Sequence, residues 1–251
     1  MEQEAPVKPN EAEKPSPAKF SVSQMWDAAL WPLLFAAICW AVHFISERNP
    51  GANSAWGIFP RTSIGLSGIL TAPFIHADLD HLLANTLPIL LVGTGIFHFY
   101  RSLAFRVIAL IWILGGFWVW LIARPSWHIG ASGLIYGGVV FLFFSGVFRR
   151  DIRLMAISFL VVFLYGSLAW GILPIHPAQS WESHLSGSMA GLLAAIYYRH
   201  DGPQRQKFDW EDEPLADDTE HLGAPSEDEQ TFTIRYEYKP DKKQVAPGEN
   251  D

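Results

Sequence analysis

The sequence predicts an all-α polytopic membrane protein, a bundle of six transmembrane helices. Half of its 251 residues are hydrophobic, and the polar residues gather at the two ends. Six apolar runs can be drawn, each about long enough to cross a ~30 Å hydrocarbon core as a helix. No ten-residue stretches alternate as barrel strands do, which leaves helices as the way to satisfy the backbone in lipid.

Residues 1–22 mix Glu2, Glu4, Glu11 and Glu13 with Lys8, Lys14, Lys19 and several prolines. They lack the basic-then-apolar order of a cleaved signal and the Arg-rich, acid-poor character of an organelle transit peptide. A disordered cytosolic segment before a retained anchor, in a protein of the cell membrane, is expected. The membrane domain follows at 23–200, with runs at 25–45, 81–99, 105–123, 132–148, 154–173 and 184–198. Cys39, the lone cysteine, rules out an intrachain disulfide and offers no thiol pair for a metal or redox site. The 46–72 connection is long for a bundle and carries Trp56, Phe59, Ile64, Leu66 and Ile69 among glycine and proline, as an interfacial segment would.

Residues 201–251 hold 15 acidic and 6 basic side chains, so within the formal charge of −7 this tail carries −9 and the rest of the chain +2. The tail is expected to be cytosolic and mostly disordered. Within it, 231–238 alternates as a strand would and is a candidate docking peptide, against the plainer reading of a solvated tail. Arg101, Arg106, Arg149, Arg150, Arg153 and Arg199 follow the even-numbered runs, whereas Arg48, Arg61 and Arg124 lie on the other side. With the three N-terminal lysines, this bias predicts both termini in the cytosol.

Three motifs carry chemistry. Gly130-Ala131-Ser132-Gly133 puts a serine among small residues at the start of the fourth run, followed by Tyr136 and Gly137. His184 opens the sixth run, with Gly187 and Gly191 behind it, and histidine is the residue type that activates a serine for acyl transfer. The glycines alone also fit close helix packing. His81 and Asn85, four apart on the second run, share a helix face and can aim donors at one spot, or hydrogen-bond between helices. Strongly polar side chains at membrane depth are costly and point to function.

On these motifs the chain resembles the rhomboid intramembrane serine proteases, over roughly residues 55–195. The resemblance implies a six-helix rhomboid-like core around a cavity open to the outside, a Ser132–His184 dyad without a third carboxylate, and an oxyanion hole from His81, Asn85 and the Ser132 N–H. It implies that Tyr136 packs on the His184 ring and that His76 braces the first loop, with Gly130, Gly133, Gly187 and Gly191 in support. The substrates would be transmembrane protein segments. No cofactor or metal is required, and the expected partners are those substrates and membrane lipid, not nucleic acid. Where the family often has Trp-Arg before the second helix, this chain has Ser67-Gly68, so anchoring of the first loop is expected to differ.

Two rivals are weighed against this reading. His76, Asp78, Asp80 and His81 cluster within six residues, but His76 and His81 face different ways on a helix and no His-Glu-x-x-His occurs. A non-catalytic rhomboid-like binder of membrane helices, or a small transporter, is the other class, although the halves show no internal symmetry. His128, four residues before Ser132, is a further histidine to consider as the base.

Overall fold

The computed structural model describes residues 22–47, 56–164, 170–175 and 179–202, within a compact unit spanning Met1–Arg205. The docking segment expected at 231–238 lies outside the described residues, as do nearly all of the N-terminal segment and of the acidic tail.

The described residues form seven helices: α1 (Val22–Glu47), α2 (Ser63–Thr71), α3 (Leu79–Phe99), α4 (Ala104–Ile122), α5 (Ser132–Arg149), α6 (Ile152–Leu164) and α7 (Trp181–Tyr197). Of these, α1, α3, α4 and α5 are long and apolar enough to cross a membrane. With 13 and 17 residues, α6 and α7 extend roughly 20 and 26 Å. Large apolar side chains stand on the outer surface, among them Trp26 and Ile45 on α1, Phe105 and Ile122 on α4, and Phe159 and Phe163 on α6. A surface this apolar suits lipid and would aggregate in water, so the chain is a multi-pass membrane protein.

The interior is built on α5, which packs against α3, α4, α6 and α7, while α1 covers α3. Ile135, Val139, Phe141 and Leu142 on α5 are buried against Val92 and Ile96 of α3, Val107 and Ile111 of α4, and Leu154 and Val161 of α6. At the far end of the bundle from Ser132, buried Arg149 lies over the Tyr100 ring at 5.3 Å. It donates to the carbonyls of Tyr198, at 2.7 Å, and Asp201. These oxygens lie where α7 runs out of intrahelical donors, so Arg149 finishes the helix.

The structure departs from the sequence reading in two places. In place of the single run expected at 154–173, the described residues give helix α6 over Ile152–Leu164 and turns over 170–175. Gly171 and Pro174 explain the change, because a residue ahead of proline is pushed out of the helical region and the proline ring cannot continue the helix. The 46–72 connection contains α2, started by Thr62, whose side chain accepts from the Gly65 N–H at 3.1 Å. Ile64, Leu66 and Leu70 are exposed on α2, while Gly65, Gly68 and Ile69 face inward.

Candidate active site

The site follows from how closely α5 and α7 approach. A Cβ on Gly187 would fall on the Gly133 carbonyl, one on Gly191 on the Gly137 carbonyl, and one on Gly133 against the Ser183 carbonyl. Two helices thus meet backbone to backbone through glycines four apart, as small-residue faces allow. Ser132 precedes Gly133 and His184 follows Ser183, so this contact brings their side chains together. His184 Nε2 lies 2.8 Å from Ser132 Oγ.

The other ring nitrogen settles the tautomer. His184 Nδ1 is 2.8 Å from the Gly171 carbonyl oxygen, and a carbonyl can only accept, so Nδ1 carries the proton. In the neutral ring Nε2 is then the acceptor for the Ser132 hydroxyl. Gly171 was not legible as a site residue, since it fell within the run expected to be helical, where its carbonyl would have been used internally. A Cβ there would also run into the Tyr136 hydroxyl. Tyr136, one turn after Ser132, stacks flat on His184 with centroids 4.1 Å apart and planes at 7°.

Ser132 begins α5 without a side-chain cap, so the first N–H groups of this helix have no intrahelical acceptors. The approach to it is made by Gly130, with φ at +104°, where a Cβ would also strike the His81 ring. Its N–H donates to the Ala72 carbonyl at 2.9 Å. Position 130 therefore needs glycine for both its backbone angle and the close approach of His81.

His81 and Asn85 sit on the first turns of α3, which Asp78 caps by accepting from the His81 N–H at 2.7 Å. Buried Asn85 donates from Nδ2 to the His81 carbonyl at 2.8 Å. His81, Asn85, Ser132, Tyr136 and His184 line one cavity of about 660 Å³ whose wall also includes Asp78, Asp80, Arg124, Ser126 and Gln179. This space is roomy and polar enough for several waters beside a bound chain. His76 is buried with its ring edge-to-face on His81 at 5.0 Å and 69°. Burial, helped by the neighbouring His81, pushes its pKa down to about 4. Among the described residues, no three His, Cys, Asp or Glu side chains converge as metal ligands would.

The first loop is held to α4 by groups that the sequence does not mark as anchors. Trp112 Nε1 donates to the Ile69 carbonyl at 2.7 Å and Trp120 Nε1 to the Thr62 carbonyl at 2.9 Å. Arg61 Nη1 donates to the Leu121 and Ala123 carbonyls, at 3.2 and 2.9 Å, at the end of α4. Gly68 stands where the Gly57 carbonyl leaves no room for a Cβ. In this chain α4 supplies the indoles and the loop supplies the arginine that hold the first loop. His128 lies away from Ser132 in its hydrogen bonding, with Nδ1 on Ser180 Oγ.

Comparison with known proteins shows which family the chain belongs to. Residues 64–201 match the Rhomboid domain. An uncharacterized protein of Mycobacterium tuberculosis is 38% identical over 183 residues, covering 69% of this chain and 75% of its own length. One from Mycobacterium leprae is 36% identical over 186 residues, covering 69% and 72%. Rhomboid protease GluP of Bacillus subtilis is 28% identical over 171 residues, which is 64% of this chain and 33% of GluP. With a domain match over more than half its length and these relatives, the chain belongs to the rhomboid family.

Proposed function

We propose that the chain is an intramembrane serine endopeptidase that cleaves transmembrane segments of membrane-anchored proteins. The observation that carries this reading is the Ser132–His184 bond of 2.8 Å with Nδ1 held by the Gly171 carbonyl, because it leaves the acceptor nitrogen on the serine. His184 Nε2 takes the proton from Ser132 Oγ as that oxygen attacks the scissile carbonyl carbon. The oxyanion that forms is stabilised by the Ser132 N–H at the start of α5, by His81 and by Asn85. His184 returns the proton to the leaving amine nitrogen, the C–N bond breaks, and an acyl-enzyme remains. Water from the cavity, deprotonated by Nε2, attacks the ester carbonyl carbon, the bond to Ser132 Oγ breaks to release the carboxylic acid, and the proton goes back to Ser132 Oγ. The Tyr136 face against His184 favours the imidazolium formed midway.

In the same reading the chain crosses the cell membrane six times, α6 and α7 included, with both termini in the cytosol and the cavity open outward. A reporter fused after residue 251 is then read from the cytosolic side. The function is tested by a serine-directed phosphonate probe and a model transmembrane substrate. The native chain is labelled and cleaves, whereas Ser132→Ala and His184→Ala do neither. Undiminished cleavage by Ser132→Ala sinks the proposal, and native binding of membrane helices without cleavage favours a non-catalytic binder.

A further inference from the structure

His128 lies in the connection between α4 and α5, only 2% exposed. Its backbone exchanges two hydrogen bonds of 2.9 Å with Ile58, so the first loop fixes where the ring starts. Nε2 is 3.1 Å from the Arg124 carbonyl and therefore carries the ring proton. Burial holds this imidazole below the usual range, which keeps it neutral and leaves Nδ1 as an acceptor. The Ser180 hydroxyl meets that nitrogen at 2.5 Å. Ser180 Oγ in turn lies 2.6 Å from Ser183 Oγ and accepts from the Ser183 N–H at 3.4 Å, capping α7. Arg124, from the same connection, pairs with Glu182 at 3.4 Å and donates to the Gln179 carbonyl at 2.7 Å.

The glycine faces of α5 and α7 fix how near the two helices lie but offer few knobs against sliding along their axes. A slide of one residue, about 1.5 Å, is enough to break the bond between Ser132 and His184. The tie from His128 to Ser180 joins the segment four residues before Ser132 to the cap four residues before His184. It is therefore placed to set the axial register that the glycines leave open.

We infer that His128, through Ser180, is a positioning residue that locks the axial register of α7 against α5 and so holds His184 on Ser132. The inference rests on the reading of Ser132 and His184 as nucleophile and base. Its test uses the full chain in detergent, measuring the rate of Ser132 labelling by a fluorophosphonate, kcat and KM for a transmembrane substrate, and thermal unfolding. His128→Ala and Ser180→Ala are each expected to label about tenfold slower, with kcat reduced and KM unchanged, as a small misplacement of reacting groups produces. The double variant is expected to be no slower than the slower single one, because both remove the same bond. Ser180→Thr keeps a hydroxyl and is expected to retain the native rate. Native labelling rates in folded His128→Ala and Ser180→Ala overturn the inference, and so do losses that multiply in the double variant. If His128→Ala does not fold, Ser180→Ala against Ser180→Thr decides alone. Failure of the native chain to label at all counts against the proposed function instead.

Discussion

Two serine–histidine pairs line the same cavity, and their hydrogen bonding is nearly the same. In each, one imidazole nitrogen meets a serine hydroxyl and the other faces a backbone carbonyl: Gly171 for His184, Arg124 for His128. Their difference lies in what the serine oxygen still has to give. Ser180 Oγ is saturated, bonded to His128 and engaged by the hydroxyl and N–H of Ser183. Among the described residues Ser132 Oγ is engaged by His184 alone, and it sits where a helix begins with open N–H groups. A serine beside a histidine is thus a cap in one place and a proposed nucleophile in the other, decided by spare lone pairs and by donors waiting for an oxyanion.

The largest expected effect is the sharpest test of that contrast. Ser132→Ala lowers cleavage by about a thousandfold or more, and mass spectrometry of probe-treated protein finds no adduct on Ser180. An adduct on Ser180 in that variant erases the distinction. Next, Asn85→Ala lowers kcat by roughly a hundredfold if the amide donates to the oxyanion, with thermal unfolding reporting whether the helix survives. A comparable drop in KM-independent binding alone would assign Asn85 to packing.

Gly187→Ala forces a methyl onto the Gly133 carbonyl, and is expected to destabilise by about 1–3 kcal/mol while slowing labelling of Ser132. Native rates in this variant would show that the glycine contact does not set the pair. The smallest effect concerns His76. Its folded pKa of about 4 lies below the 6.5 of the free side chain, so between those values the unfolded chain binds more protons. Stability is then present above pH 6.5 and lost as pH falls toward 4, by at most roughly 1.4 kcal/mol per pH unit. Tm measured across that window falls for the native chain and falls less for His76→Phe.

How legible the site was depends on which atoms form it. The roles proposed for Ser132, His184, His81 and Asn85 belong to side chains at helical spacing, so their sequence pattern placed them on helix starts and shared faces. Gly171 meets His184 through a carbonyl in a turn, and a backbone acceptor has no residue signature. Gly171 with Pro174 was the available warning, hidden by the apolar run around it. Arg149 and Arg61 were read as loop charges marking sidedness. Their guanidinium groups also bond carbonyls at helix ends, a use that charge counting does not reveal. The α2 helix was missed because nine residues with two glycines carry too little periodicity to stand out from a loop.

The glycine seam between α5 and α7 has a dynamic consequence. Held backbone to backbone at Gly133–Gly187 and Gly137–Gly191, and tied along their axes by the His128–Ser180 bond, the two helices move as one body, and thermal motion carries Ser132 and His184 together instead of apart. Heating then has little leverage on the pair until the bundle itself gives way. Loss of activity with temperature is therefore expected to coincide with unfolding, as an all-or-none event, with no gradual decline before it.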